Sequence, residues 1–219
     1  SDSYCKTTRR SGFMRRSLRR WYREKGSLIR LISASAAGRY NDSGGSMDVF
    51  ETLLTRRSVR DYTEEPVSEE AVERLLRAAM AAPSARNQQP WRFVVVRDRS
   101  LLKEMAEVSP NGAMIARAQV ALLICADLDL VKSEGYWIQD CAAATQNALL
   151  AAHAFGLGAV WCGIYPREAR VTGVRRVFAL PEHLVPFSVV AVGHPKGLPG
   201  VVDRFDPTRI HFDGYEEAE

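Results

Sequence analysis

The chain has 219 residues, 46% of them hydrophobic and 26% charged, proportions that belong to a globular protein and argue against wholesale disorder. Its net charge of +4 is unevenly distributed: residues 1–46 carry eleven Lys or Arg against three acids (Asp2, Glu24 and Asp42), a local +8, which leaves the remainder at −4. The body therefore offers no bulk electrostatic case for a nucleic-acid or membrane partner. None of Cys5, Cys125, Cys141 and Cys162 forms a C-x-x-C pair. The expectation is reduced, buried thiols in a cytoplasmic protein, with neither a zinc site nor a disulfide framework. The stretch 148–165 carries no formal charge and reaches membrane-spanning length, but it contains His153, Gly156, Gly158 and Gly163. It reads as a helix end, a glycine stop and a strand rather than a membrane span.

In chain order, residues 13–33 are Arg-rich, with Leu18, Trp21, Tyr22, Ile29 and Ile32 loosely on one helical face. This is the pattern of a basic amphipathic or transit-like segment, or of an extension that never joins the fold. The turn-rich run Asn41-Asp-Ser-Gly-Gly-Ser46 follows as a linker. The division is thus a flexible basic extension over 1–46 and a folded domain over 47–219. Asp48-Val-Phe-Glu51 has the spacing of a helix start, with Val49, Phe50, Leu53 and Leu54 on one face. Pro66-Val-Ser68 opens a second helix, whose Val72, Leu75, Leu76, Ala79 and Met80 repeat at helical spacing until Pro83. Residues 92–97 form a short β-rich run, 101–108 a modest helix, and 119–126 a continuous apolar run of buried-strand length. The longest helix spans 137–155, crowded with alanines that permit close approach of another helix, and stops at Gly156. Strands over 159–164 and 187–192, separated by a helix at 171–178, complete a single domain of interspersed helices and strands.

Three guanidinium groups and a hydroxyl in Arg56-Arg-Ser-Val-Arg60 form a cluster whose mutual repulsion a phosphate would relieve; a solvated basic turn is the competing reading. Pro83-Ser-Ala-Arg-Asn-Gln-Gln-Pro-Trp91 places several amides, each both donor and acceptor, directly before a strand, where they can read the edge of a planar heterocycle or simply cap a loop. Gly156-Leu-Gly-Ala-Val-Trp-Cys-Gly163 can bring backbone N–H groups close to a ligand, but lacks the spacing of a Rossmann fingerprint. Gly193-His-Pro-Lys196 and Asp203-Arg-Phe205 add basic groups downstream. The four histidines share no spacing that suggests a triad or a metal site.

Taken in this order, from about Val49 to Tyr215, these five motifs and the alanine-rich helix between them resemble the nitroreductase-like FMN-dependent oxidoreductases. The resemblance implies an α+β fold with a mostly antiparallel central sheet flanked by helices, and a homodimer holding two FMN molecules at its interface. It assigns Arg56, Arg57, Ser58 and Arg60, completed by Arg204, to the phosphate and ribityl chain. Pro83, Ser84 and Asn87, with Gln89 in support, cover the isoalloxazine from the other subunit, and Trp161, Cys162 and Gly163 line it. It further implies ping-pong transfer of hydride from NADH or NADPH through flavin N5 to a nitroaromatic, quinone or similar small-molecule acceptor. No catalytic side chain and no metal is then expected, because the cofactor carries the chemistry. Residues 127–137 become the substrate-selecting segment, with Tyr136 and Trp137 as candidates to stack on a substrate. The alternatives are a reductive dehalogenase or flavin-modifying enzyme of the same fold, or a non-catalytic flavin-binding module.

Overall fold

A computed structural model describes residues 47–215; the basic extension, its linker and Cys5 lie outside the described residues. The body ends at Gly200, and a second unit begins at Val201. In the body, helix α1 (Val49–Thr55) is N-capped by the Asp48 carboxylate, which accepts from the Phe50 and Glu51 amides. Helix α2 (Glu69–Met80) is capped by Ser68, whose hydroxyl accepts from the Ala71 amide. Both caps satisfy amides that a helix start leaves without intrahelical partners. There follow β1 (Trp91–Val96), α3 (Arg99–Glu107), β2 (Val120–Asp127), α4 (Trp137–Ala154), β3 (Gly158–Gly163), α5 (Glu168–Phe178) and β4 (Leu184–Gly193). Gly156, at φ +76, terminates α4, as its position after the last helical residue predicts.

The sheet order is β1-β2-β4-β3 and every neighbouring pair is antiparallel. The apolar run of β2 is therefore a central strand of an antiparallel sheet, buried along its whole length. Alternation along β2 sends Val120, Leu122, Ile124 and Ala126 into one core with α2 and α4, and Ala121, Leu123 and Cys125 into a second core with α3 and α5. The result is an α+β sandwich with helices on both faces. The alanines of α4 serve the first core: Ala144, Ala148 and Ala152 are fully buried, and Asn147 donates to the Ala78 carbonyl of α2 at 3.0 Å. Cys125, Cys141 and Cys162 are free and buried; burial pushes the Cys125 and Cys141 thiols up to about 12.

Helix α1 departs from the sequence pattern. Val49, Phe50 and Leu53 are 63%, 64% and 50% exposed, while Thr52 and Thr55 are buried. The reason is a polar contact. Thr55 Oγ1 donates to the Glu51 carbonyl at 2.6 Å and lies 2.8 Å from His153 Nε2 on α4. The hydroxyl has one proton, so His153 supplies the second as the Nε2–H tautomer. Burial, then the Arg56 and Arg57 charges, hold His153 below its ordinary value of 6.5. An unfolded His153 takes up a proton near that value while the folded one stays neutral. Stability is therefore expected to fall as the pH drops below 6.5, and His153→Gln, which keeps a donor for Thr55, should flatten this acid limb. Urea unfolding at pH 7.5 and pH 5 measures the difference; equal losses in both proteins would reject the assignment.

Among the described residues of the second unit, from Val201, is a 3₁₀ turn, Pro207–Arg209, capped by Asp206, whose carboxylate accepts from the Thr208 amide and from Arg209 Nε. The rings of His211 and Tyr215 lie 4.5 Å apart. No helix among the described residues is long and apolar enough to cross a membrane.

Candidate functional site

The arginine cluster begins where α1 ends. Arg56 is the C-cap, and the chain continues extended into a parallel bridge between Ser58 and Ala159, with the Val59 amide donating to the Ala159 carbonyl at 3.0 Å. Val59 is buried in the second core, so alternation turns Ser58 and Arg60 the other way. Two glycines allow this strand to lie so close. A Cβ on Gly158 would stand 2.6 Å from Val59 Cγ1, and one on Gly193 would stand 2.8 Å from Tyr62 Cγ; Gly158 and Gly193 are themselves partners in the sheet. Tyr62 is buried, and its hydroxyl is within bonding distance of the Val59 and Ala191 carbonyls. Its ionisation is pushed well above the usual range, chiefly by burial. The need for glycine at 158 is thus close packing. Arg57 donates to the Leu54, Arg56 and Gly200 carbonyls and ties the turn together. Lys196 joins the neighbourhood through its amide, which donates to the Asp61 carbonyl at 3.1 Å.

Strand β3 is a sheet edge, and beyond Ala159 no strand covers that edge among the described residues. Ala159 directs its carbonyl outward to Val59, and Ile164 directs its amide inward to Phe187. Alternation therefore points the N–H groups of Trp161 and Gly163 outward. Arg170 holds the Gly163 carbonyl at 2.8 Å. A Cβ built on Gly163 meets no described atom within 4 Å, so there is room beside this end of the strand that the described residues do not fill. Cys162 instead sends its side chain into the second core, 3.6 Å from the Met114 sulfur; burial raises its thiol to about 11, against the Arg60 and Arg170 charges.

Beside Gly163, the register of β4 shifts between its partners Ile124 and Cys125, leaving Phe187 as the extra residue of a bulge. Pro186 sits at this irregularity, the one kind of place a central strand tolerates proline. The Phe187 carbonyl accepts from both Ile164 and Tyr165. Its ring joins Trp161 at 5.9 Å and Trp137 at 6.3 Å, and Trp137 packs edge-on to Tyr165 at 4.8 Å. Trp137 is thus an anchor of an aromatic wall, whereas Tyr136 is exposed.

The Pro83–Trp91 loop is strained. Arg86, Asn87 and Gln89 all have φ between +45 and +51, a region that costs a non-glycine residue of order 1 kcal/mol or more each. The conformation is held by hydrogen bonds: Gln89 N–H donates to Ser84 Oγ, Gln89 Nε2 to Asn87 Oδ1, and the Ala85 amide to Asp140 Oδ1 at 2.9 Å. Pro83, Asn87 and Gln89 are exposed, and Gln88 alone of the loop amides is buried. Asp140 carries no sequence signal of its own, because no local pattern distinguishes it from other helix-start acids. Arg204 belongs to the second unit and is exposed there.

The candidate residues are divided across the sheet. The loop leads into β1 at one edge, and the arginine strand lies outside β3 at the other. Register also places Trp91 toward Val185 and Ser58 toward Val192, at opposite ends of β4. The histidines are not assembled: His153 is bonded to Thr55, and His194 lies 3.6 Å from Glu65. Ligand atoms of Asp127, Asp129 and His183 lie within 4.8 Å of one another, but Asp127 is already paired with Arg92 at 2.8 Å.

The described residues thus form an antiparallel four-stranded α+β sandwich with an arginine strand bridged to one sheet edge. The model of the Nitroreductase family matches residues 53–127 and 109–194, and the chain belongs to that family. It is 53% identical over 167 residues to a Methanothermobacter thermautotrophicus protein named "Putative NADH dehydrogenase/NAD(P)H nitroreductase", covering 76% of this chain and 87% of the relative. The crystal structure of a Parabacteroides distasonis protein of the same name superposes with a TM-score of 0.73 at 42% identity, covering 76% of this chain and 98% of that one. A Desulfovibrio desulfuricans nitroreductase structure, described as putative and in complex with FMN, superposes with a TM-score of 0.68 at 33% identity, covering 78% of this chain and all of that one.

Proposed function

We propose that the protein is a homodimeric, cytoplasmic FMN-dependent NAD(P)H oxidoreductase that reduces a nitroaromatic, quinone or similar acceptor by a ping-pong mechanism. The observation that carries the reading is the outer edge of β3. Arg56, Ser58 and Arg60 stand where that edge begins, and from Ala159 to Gly163 about 13 Å of strand follows that no described strand covers, ending at a glycine whose missing Cβ would meet no described atom. A phosphate at the arginine end and a flat ring against Trp161–Gly163 fit this arrangement in series.

Arg56 and Arg60 supply charge-assisted donors to the phosphate and Ser58 a neutral one, while Arg57 braces the turn behind them; the family resemblance adds Arg204 to this set. The outward N–H groups of Trp161 and Gly163 orient the ring, with the Cys162 backbone between them, and the aromatic wall keeps water from it. When bound, FMN supplies hydride acceptance from the nicotinamide and delivery to the acceptor. Pro83, Ser84, Asn87 and Gln89 lie by the opposite sheet edge of the same chain, and in the family resemblance they close over a ring held by a second copy. A two-fold pair of chains brings the two half-sites together twice. The exposed Val49, Phe50 and Leu53 of α1 supply apolar surface for that pairing. Tyr136 is exposed at the start of α4, which supports its role in contacting the acceptor, with Trp137 as the anchor beside it.

The test is a visible absorption spectrum of the FMN-loaded full chain, followed by anaerobic addition of NADH and of NADPH, then of menadione or a nitroaromatic. Flavin bands are expected to bleach with a nicotinamide and to return with an acceptor. A protein that retains no FMN overturns the reading.

A further inference from the structure

Gln88 and Asp140 form a buried polar relay that the flavin contacts do not use. Each is 4% exposed. Asp140 lies in the first turn of α4, where the helix start favours negative charge. Both of its oxygens accept: Oδ1 from the Ala85 amide at 2.9 Å, and Oδ2 from Gln88 Nε2 at 2.6 Å. Because that side of Gln88 must donate, its Oε1 points away and accepts from the amides of Lys132 and Ser133, at 2.8 and 3.0 Å. The direction of the amide is dictated by its neighbours, an acceptor on one side and two donors on the other. One carboxylate thereby holds the strained 84–89 turn directly and, through Gln88, the segment that leads into Tyr136.

We propose that Asp140 and Gln88 are positioning residues that lock segment 131–136 to the 84–89 turn, so that the segment bearing Tyr136 is set for the acceptor by the polarity of this relay. The acceptor role rests on the proposed flavin reading; the lock itself does not. Asparagine at position 140 can accept from Ala85 only by turning its NH₂ toward Gln88. Gln88 then meets it either donor against donor or, if flipped, by aiming its own NH₂ at the Lys132 and Ser133 amides. Glutamate at position 88 faces the Asp140 carboxylate with an acceptor. Exchanging the two groups satisfies every partner again: the new amide at position 140 donates to the new carboxylate at position 88, whose other oxygen accepts from both backbone amides.

The experiment compares Asp140→Asn, Gln88→Glu, Gln88→Ala and the double variant Asp140→Asn/Gln88→Glu by amide hydrogen exchange in the full chain, with and without FMN. Each single variant is expected to speed exchange at Lys132 and Ser133 by about tenfold or more, and the double variant to return to within about threefold of the parent. In FMN-loaded protein, KM for menadione should rise about fivefold in Gln88→Ala with a much smaller change in kcat, and the double variant should recover the KM lost by its parents. Should Asp140→Asn not fold, Gln88→Ala and the double variant still decide the matter. Unchanged exchange in Gln88→Ala, or a double variant no better than its worse parent, overturns the relay. Chain that binds no FMN but shows the restored exchange overturns the flavin reading and leaves the relay standing.

Discussion

Replacing Arg56 or Arg60 by alanine is expected to weaken FMN binding by about 10- to 150-fold each, the range for losing one charge-assisted contact worth about 1.5–3 kcal/mol. The double replacement should leave the chain colourless after gel filtration. The two arginines flank a backbone that is fixed independently of them, by the Val59 amide on Ala159, the Thr63 amide on His194 and the Lys196 amide on Asp61. Loss of the guanidinium groups therefore removes charge without releasing the strand. Riboflavin supplies the internal control. It lacks the phosphate, so its affinity should be the same in parent and variants, while FMN affinity should also weaken with added salt in the parent more than in the variants. Fluorescence titration of apoprotein with both flavins measures this. If riboflavin and FMN lose equally, the cluster holds the fold rather than the phosphate, and the assignment of Arg56 and Arg60 fails.

Features governed by near neighbours were legible in the sequence. Asp48 and Ser68 announced helix starts, Gly156 a stop, and the uninterrupted apolar run before Asp127 a buried strand, because caps, left-handed turns and two-sided burial each leave a local mark. Interspersed helices and strands did not by themselves reveal an antiparallel sheet; that came from the resemblance, since strand order depends on pairings that close over long loops. The apolar stripe of α1 is visible in the sequence as a stripe, but its exposure is not. A seven-residue helix whose inner contact is a Thr–His hydrogen bond shows the same periodicity as one packed by leucines. Least legible were Asp140 and Gln88, whose partnership spans 52 positions and emerges only once α4 is laid beside the loop. That the candidate residues fall at two sheet edges was likewise out of reach of residue spacing and came only through the resemblance, which gives the loop to the other subunit: Arg56 and Asn87 are near in sequence, and the order β1-β2-β4-β3 sets them apart.

Gly158→Ala and Gly163→Ala, five residues apart on one strand, are expected to fail in different ways, and the contrast tests how the site is built. At Gly158 the added methyl would stand 2.6 Å from Val59 Cγ1 and 2.9 Å from its Cβ, too close for van der Waals contact. Either Val59 leaves the second core or the arginine strand lifts from β3. Overpacking of this kind costs about 1–3 kcal/mol, so thermal unfolding should shift downward by several degrees, about 2–4 °C for each kcal/mol in a domain of this size. FMN affinity should fall with it, because Ser58 and Arg60 move with Val59. At Gly163 the methyl enters space that no described atom occupies. Folding should be nearly unaffected, and FMN should still bind more weakly, because that space is assigned to the ring. Adding Val59→Ala to Gly158→Ala should remove the 2.6 Å contact with Cγ1 but leave the 2.9 Å contact with Cβ, and so recover only a small part of the lost FMN affinity; it should do nothing for Gly163→Ala. Calorimetry and flavin titration on the four proteins separate the cases. A Gly163→Ala protein that binds FMN as tightly as the parent would remove the ring from the edge of β3, and with it the observation on which the proposed function rests.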